Sequence, residues 1–146
     1  MWASAFRRSD TAMTDNGPRR IDVTLYELIG GAPTVQRLVD RFYQLMDTLP
    51  EAKACRDVHP PSLEGSAEKL YDYLSGWLGG PQLYVEKHGH PMLRRRHFVA
   101  SIGPKERDGW LLCFQRAVDD AIEDPRLRQA IWQPVSKLAM HMQNAQ

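Results

Sequence analysis

The chain has 146 residues, of which 42% are apolar and 25% are charged, a composition typical of an ordinary globular domain. Its 19 Lys and Arg nearly balance its 18 Asp and Glu, which excludes the broad basic surface that nonspecific nucleic-acid binding needs. No segment reaches the roughly 18 to 20 apolar residues of a membrane-spanning helix, so neither a nucleic-acid nor a membrane partner is expected.

The N-terminal segment, residues 1–20, mixes Ser, Thr, Arg, Gly and Pro without an apolar period. We therefore predict a flexible extension there and a single folded domain over residues 21–146. The extension lacks the apolar run of a secretory signal, so we expect a cytoplasmic protein. The two cysteines, Cys55 and Cys113, are too few for a disulfide framework, and both are predicted to be small buried residues.

The first half of the chain predicts two helices and a short third element. A short helix over residues 24–29 ends at a Gly-Gly pair, and a long helix begins near Pro33. Apolar residues at three- and four-residue spacing extend the long helix to Pro50. Residues 51–61 are predicted to form a short helix or turn that ends at the sequence HPP.

The middle of the chain predicts one long helix and two weaker elements. The long helix covers residues 62–78 and ends at a Gly-Gly-Pro sequence. A loop with a weak helical segment follows over residues 81–91, and a short helix is predicted over residues 91–97.

Two further helices complete the chain. One runs over residues 104–123, and Asp124 and Pro125 begin the last, in which Pro134 should introduce a kink. No segment alternates with period two for long enough to form a sheet. The sequence therefore predicts an all-α fold of five to seven helices, arranged as an open helical sandwich.

Histidines at positions 88, 90 and 97 raise the question of a zinc site. No cysteine lies near them in sequence, and three arginines, residues 94–96, directly precede His97. Because three guanidinium charges disfavour a dication, zinc is not predicted. Two interpretations remain: a solvated basic turn, or a haem site with one axial imidazole and arginines that pair with the propionates.

Aromatic residues on the helices are consistent with either a plain apolar core or a gas-binding pocket. Tyr43 and Trp110 each carry one polar hydrogen that needs a partner if it is buried. A pocket with a few inward donors would use those hydrogens, whereas a plain core would have to satisfy them internally. Aromatic spacing alone leaves both interpretations open.

Five short sequence motifs together resemble the pattern of a known family. They are FY at 42–43, HP at 59–60, LSGWLGGP at 74–81, HGHPMLRRRH at 88–97 and ERDGWL at 106–111. At these spacings the chain resembles the group II truncated haemoglobins over roughly residues 24–123, and more loosely in its last helix. The resemblance implies a truncated globin-like 2-on-2 helical sandwich around haem b (iron protoporphyrin IX).

The resemblance also implies a proximal side. The histidine that ends the LRRRH string, His97, is the expected ligand of the haem iron. Leu93 is expected to pack against the ring, and Arg94, Arg96 and Lys69 to pair with the propionates.

On the distal side, the resemblance implies three donors to a bound diatomic ligand: Tyr43, His59 and Trp110. Donors aimed at a ligand with partial negative charge bind it more strongly than donors to a neutral oxygen. Further residues expected to line the haem or ligand pocket are Phe42, Ser66, Leu70, Tyr73 and Tyr84.

Two departures from the family pattern are visible. The corner position before the proline is often Tyr or Phe in the family but is His59 here, and histidine titrates near neutral pH. After the proximal histidine, the family often continues RHxPFxI, whereas this chain continues RHFVASI. The second departure removes one aromatic wall and softens the turn after His97.

The implied function is reversible binding of O2 for transport or storage, with NO, CO and peroxide as further ligands. One alternative is a haem enzyme that detoxifies NO or peroxide with an external reductase, because no flavin or nicotinamide motif is present. Another is a gas sensor with a separate output partner, and the last is a helical interaction module without haem. The family is often dimeric, so monomer and homodimer both stay open.

Overall fold

The computed structural model describes residues 23–89 and 102–142, and this part of the chain is helical without any strand. Its seven α-helices and one 3-10 turn are α1 (Leu25–Leu28), α2 (Ala32–Thr48), the 3-10 turn (Pro50–Ala52), α3 (Lys53–Asp57), α4 (Glu64–Trp77), α5 (Leu83–His88), α6 (Pro104–Ala121) and α7 (Pro125–Met142). The prediction of an all-α chain is confirmed.

The centre of the core lies between α2 and α6, which pack against each other more extensively than any other pair of described helices. Apolar residues recur every three or four positions on both helices, so each presents one continuous apolar face. The fully or nearly fully buried side chains on these faces are Val35, Leu38, Val39, Phe42 and Met46 on α2, and Cys113, Phe114, Ala117 and Val118 on α6.

The boundaries of the helices follow local signals in the sequence. Thr24 caps α1, because its hydroxyl accepts a hydrogen bond from the Glu27 N–H at 3.2 Å. At the start of α6, the Glu106 carboxylate accepts from the Gly103 N–H at 2.7 Å, and Asp124 caps α7 by accepting from the Arg126 N–H at 2.8 Å. These caps satisfy donors that every helix leaves unpaired at its first turn.

The Gly-Gly-Pro sequence after α4 serves as a docking point for α1. Gly79 has a φ of +97°, and a Cβ on Gly80 would approach ring atoms of Tyr26 within 2.6–2.7 Å. The Tyr26 N–H donates to the Leu78 carbonyl at 2.9 Å. Only residues without a side chain at this turn allow α1 to lie so close to the end of α4.

The structure bears on some of the smaller expectations. Cys55 and Cys113 are buried free thiols, as predicted. Pro134 lies inside α7, which continues through it to Met142. The proposed extension at residues 1–20 and the short helix at residues 91–97 lie outside the described residues. Within residues 23–89 and 102–142, no helix is long and apolar enough to cross a membrane.

Candidate functional site

An aromatic cluster lies where α2 crosses α6. The Phe42 ring, which is inaccessible to solvent, meets the Trp110 ring at 5.1 Å between centroids with an interplanar angle of 64°. Trp110 in turn stacks on Phe114 at 5.1 Å and 10°. Offset and edge contacts of this kind restrict ring orientation as well as bury area. Trp110, which stays half-buried, therefore has a fixed ring plane at the edge of the core.

Tyr43 follows Phe42 on α2 and brings a hydroxyl to the same region. Its ring meets Phe42 edge-on at 4.7 Å, and its hydroxyl lies 3.4 Å from the Ser66 carbonyl oxygen on α4. Burial is the main cause that raises the pKa of Tyr43, with a smaller contribution from Cys55. The hydroxyl therefore keeps its proton and acts as a donor, although the bond to Ser66 is long for an O–H···O bond.

His59 lies beside Tyr43, at 6.0 Å between ring centroids and an interplanar angle of 75°. Its Nδ1 atom is 2.9 Å from the Cys55 carbonyl oxygen. A carbonyl oxygen can only accept, so Nδ1 carries the proton in this bond and the neutral ring has its acceptor lone pair on Nε2. The expectation that His59 donates to a ligand therefore applies to the protonated imidazole, because the neutral ring already uses its single N–H.

Gly109 is a residue whose role the sequence interpretation missed. A Cβ at this position would meet Ala52 Cα at 3.2 Å, Cys55 Cβ at 3.2 Å and the Glu51 carbonyl oxygen at 3.3 Å. The absence of a side chain lets α6 lie directly against the 3-10 turn and α3. This contact sets how Trp110, the next residue, is placed relative to the segment that carries His59. A glycine inside an otherwise regular helical pattern was the available signal.

The expected pocket residues on α4 share one half-buried face. Ser66, Leu70 and Tyr73 are spaced four and three residues apart and are each partly exposed. Tyr73 meets Tyr84 of α5 edge-on at 6.0 Å, and Tyr84 is buried. Burial, followed by an interaction with Tyr84, raises the pKa of the Tyr73 hydroxyl. The structure thus joins α4 and α5 through a neutral aromatic pair.

Some of the expected site residues lie outside the part of the chain that the structure describes. Lys69 is described and lies exposed on α4. Leu93, Arg94, Arg96 and His97 lie outside the described residues, so their roles stay predictions. Of the residues expected on the distal side, the structure brings together Tyr43, His59 and Ser66, and it places Trp110 across Phe42 from Tyr43. Phe42 itself is enclosed by Tyr43, Trp110 and Phe114.

In sequence, the chain is similar to proteins whose family is known. A family model described as bacterial-like globin matches residues 24–144. The Group 2 truncated hemoglobin YjbI of Bacillus subtilis (strain 168) is 37% identical over 119 residues, which cover 82% of this chain and 87% of that protein.

Solved structures give the same similarity. The group II 2-on-2 hemoglobin from Agrobacterium tumefaciens is 67% identical with a TM-score of 0.85, over 86% of this chain and 97% of that chain. The cold-adapted truncated hemoglobin from the Antarctic bacterium Pseudoalteromonas haloplanktis TAC125 is 41% identical with a TM-score of 0.82, over 85% and 100% of the two chains.

Proposed function

The chain belongs to the bacterial-like globins as a group II truncated haemoglobin, and we propose that it binds O2 reversibly with Tyr43 and Trp110 as donors to the ligand. The family implies haem, and we propose haem b as its form. When bound, the haem supplies an iron atom with an open position for a diatomic gas. We assign storage or transport of O2 as the role.

The residues that would hold the haem come from the sequence motif. We propose His97 as the iron ligand and Leu93 as a contact of the ring. The propionates are assigned to Arg94, Arg96 and Lys69, of which Lys69 is exposed on α4 and available to solvent-facing groups. Guanidinium and ammonium groups are the usual partners of such carboxylates.

The part of the site that the structure describes has side chains whose chemistry fits haem. Ala67, Leu70 and Tyr73 are half-buried residues of α4 that pack against the core and leave part of their surface exposed. Their apolar surface suits a flat apolar ring. Among residues 23–89 and 102–142, no group of three His, Cys, Asp or Glu could hold a free metal ion. The Tyr43 hydroxyl, which keeps its proton, and the Trp110 N–H are instead neutral donors, and such donors suit a gas molecule with partial negative charge.

The state of the Tyr43 hydroxyl carries the proposal. Burial keeps it protonated, and its contact with the Ser66 carbonyl is 3.4 Å long. A hydrogen bond of that length is weak, so rotating the O–H toward a ligand sacrifices little. Tyr43 is therefore a donor that is held in place by Phe42 and available for a new acceptor.

Release of O2 from the ferrous protein, followed by stopped-flow absorbance, tests this assignment. Tyr43→Phe and Trp110→Phe should each raise the O2 dissociation rate by about tenfold, the loss of one charge-assisted hydrogen bond. Tyr26→Phe removes a hydroxyl from α1, away from this region, and should leave the rate unchanged. Wild-type rates in both site variants would refute the proposed donors.

The same kinetics separate the proposed role from detoxification. Storage or transport requires O2 release fast enough to deliver the gas. Very slow release combined with a fast reaction toward NO would instead favour an enzyme that is re-reduced by an external reductase. An assay with peroxide in place of NO distinguishes the second detoxifying chemistry from the first.

A further inference from the structure

Arg56 makes three side-chain hydrogen bonds at the corner that carries His59. Its Nη1 donates to the Pro60 carbonyl at 2.9 Å, and its Nη2 donates to the Pro61 carbonyl at 2.7 Å. Its Nε donates to the Asp47 carboxylate of α2 at 2.9 Å. The rigid planar fork of a guanidinium allows one side chain to meet three acceptors at fixed angles.

The backbone of residues 60 and 61 offers no donor through which the corner could be held. Pro60 and Pro61 have no backbone N–H, so their carbonyls are the polar groups through which this segment can be anchored. His59 is tied to the end of α3 as well, because its N–H donates to the Arg56 carbonyl at 3.0 Å and its Nδ1 to the Cys55 carbonyl at 2.9 Å. Arg56 therefore contacts the corner through both its backbone and its side chain.

The three side-chain bonds are not equivalent. The Arg56 side chain is 23% exposed, whereas that of Asp47 is 60% exposed. Solvent screens an ion pair with so exposed a partner, and such pairs contribute little. The bonds to the two proline carbonyls have the charged guanidinium as their donor and connect Arg56 directly to residues 60 and 61, whereas Asp47 lies on α2. They are therefore the ones that hold the corner.

We propose that Arg56 is a positioning residue for the distal site. By fixing residues 59–61 against the end of α3, it keeps His59 bonded through Nδ1 to Cys55 and beside Tyr43. The imidazole then presents Nε2 as an acceptor in its neutral state, so that donation to the ligand falls to Tyr43 and Trp110. The effect of Arg56 on ligand release rests on the proposed function, but its effect on the His59 tautomer does not.

The primary measurement is the tautomer of His59, read from its side-chain ¹⁵N chemical shifts in the full chain. In the wild type, we expect the Nδ1–H tautomer to dominate. Arg56→Gln removes the fork and should shift the population toward Nε2–H. Arg56→Lys, a point charge that meets fewer acceptors at once, should give an intermediate population and serves as the second variant if Arg56→Gln does not fold.

Two controls separate positioning from general charge and stability effects. Asp47→Asn removes the negative charge that Arg56 meets on α2, and Lys53→Gln removes an exposed cation from the same helix as Arg56. Both should retain the wild-type tautomer. If Arg56→Gln and Arg56→Lys also retain it, even with a lower unfolding temperature, Arg56 acts only in stability and the proposal is overturned.

Release of O2 from the ferrous protein provides the second measurement. Arg56→Gln should change the dissociation rate by about threefold, less than Tyr43→Phe, because Arg56 acts through His59 rather than on the ligand. A shifted tautomer with unchanged release would uphold Arg56 as the positioning residue of His59 and refute the role of His59 at the ligand. The two failures are therefore distinguishable.

Discussion

The Nζ atom of Lys87 on α5 lies 2.8 Å from Oδ2 of Asp72 on α4, whose side chain is only 4% exposed. The hydrogen bond to Asp72 is the main cause that raises the pKa of Lys87, and the exposed Glu68, at 3.4 Å, adds less. The pair joins α4 to α5 beside the Tyr73–Tyr84 contact. The Lys87 side chain is 46% exposed, but removing it would leave the charge of the buried Asp72 side chain without its counterpart.

Lys87→Met should therefore lower the midpoint of thermal unfolding by several degrees, measured by circular dichroism at neutral pH. The double variant Asp72→Leu/Lys87→Met should recover part of the loss, since neither charge is then left without its counterpart. Lys53→Met is the matched control, because the Lys53–Asp57 pair is exposed on both sides. Equal losses for Lys87→Met and Lys53→Met would contradict this account.

The second prediction concerns the pH dependence of folding. Burial raises the pKa of the Cys55 thiol from 9.0 to about 12 and that of the Cys113 thiol from 9.0 to about 11. Above pH 9 the unfolded chain loses these protons while the folded chain keeps them, so stability falls as pH rises. Each thiol should subtract up to about 1.4 kcal/mol between about pH 8 and about pH 10.

Urea unfolding at those two pH values measures this loss. The double variant Cys55→Ala/Cys113→Ala begins from a lower stability, because two buried side chains are shortened. It should nevertheless show a shallower decline with pH. Burial also raises the pKa of Tyr43 and Tyr73, whose ordinary value of 10.0 places their effect at still higher pH. Parallel declines in the wild type and the double variant would show that the thiols are not responsible.

The parts of the molecule that the sequence predicts well are those set by local signals. Caps, Gly-Gly pairs and prolines define the helix ends, and apolar spacing defines the buried faces of α2 and α6. The motif strings also point to Tyr43, His59 and Trp110, two of which the structure places side by side.

The rest depends on how distant segments approach one another. In the sequence, Arg56 resembles an ordinary surface cation, and only the structure shows that two proline carbonyls lie beside it. In the sequence, Asp72 resembles a solvated residue, and only the structure shows that it is buried beside Lys87. Gly109 interrupts a regular helical pattern, but that interruption does not reveal that α3 lies against it. Each of these roles arises from a tertiary contact, and the periodicity of a sequence does not predict which distant segments come into contact.

The third prediction tests the close approach at Gly109. Gly109→Ala would gain up to about 1 kcal/mol in helix propensity. It would also place a Cβ 3.2–3.3 Å from backbone atoms of Ala52 and Glu51, which cannot rotate away. Overpacking costs about 1–3 kcal/mol, so the net effect on the free energy of unfolding should be destabilising.

Gly65→Ala supplies the opposite case. Gly65 lies in α4, and a Cβ there would meet nothing within 4 Å. That variant should be stabilised by up to about 1 kcal/mol in denaturant unfolding, the propensity gain without the clash. If both variants are stabilised, the contact of α6 with the 3-10 turn and α3 is looser than the distances of 3.2–3.3 Å indicate. Gly109→Ala should in addition alter O2 release, because the following residue is Trp110.

The fourth prediction concerns the proposed iron ligand. His97→Gly should lose the native haem absorbance spectrum after haemin is added to the purified chain, and free imidazole should restore it by occupying the space of the deleted side chain.

His88→Gly is the matched control: His88 lies in the same histidine-rich segment, but it packs against Tyr84 at 4.7 Å between ring centroids. That variant should retain the wild-type spectrum, since its ring has a packing role on α5. A wild-type chain that keeps no haem absorbance after unbound haemin is removed would refute haem binding itself, whereas a native spectrum in His97→Gly would refute only the assignment of the ligand. The imidazole response separates a lost ligand from a misfolded chain, because haemin outside a folded site would also bind imidazole but would not regain the native spectrum.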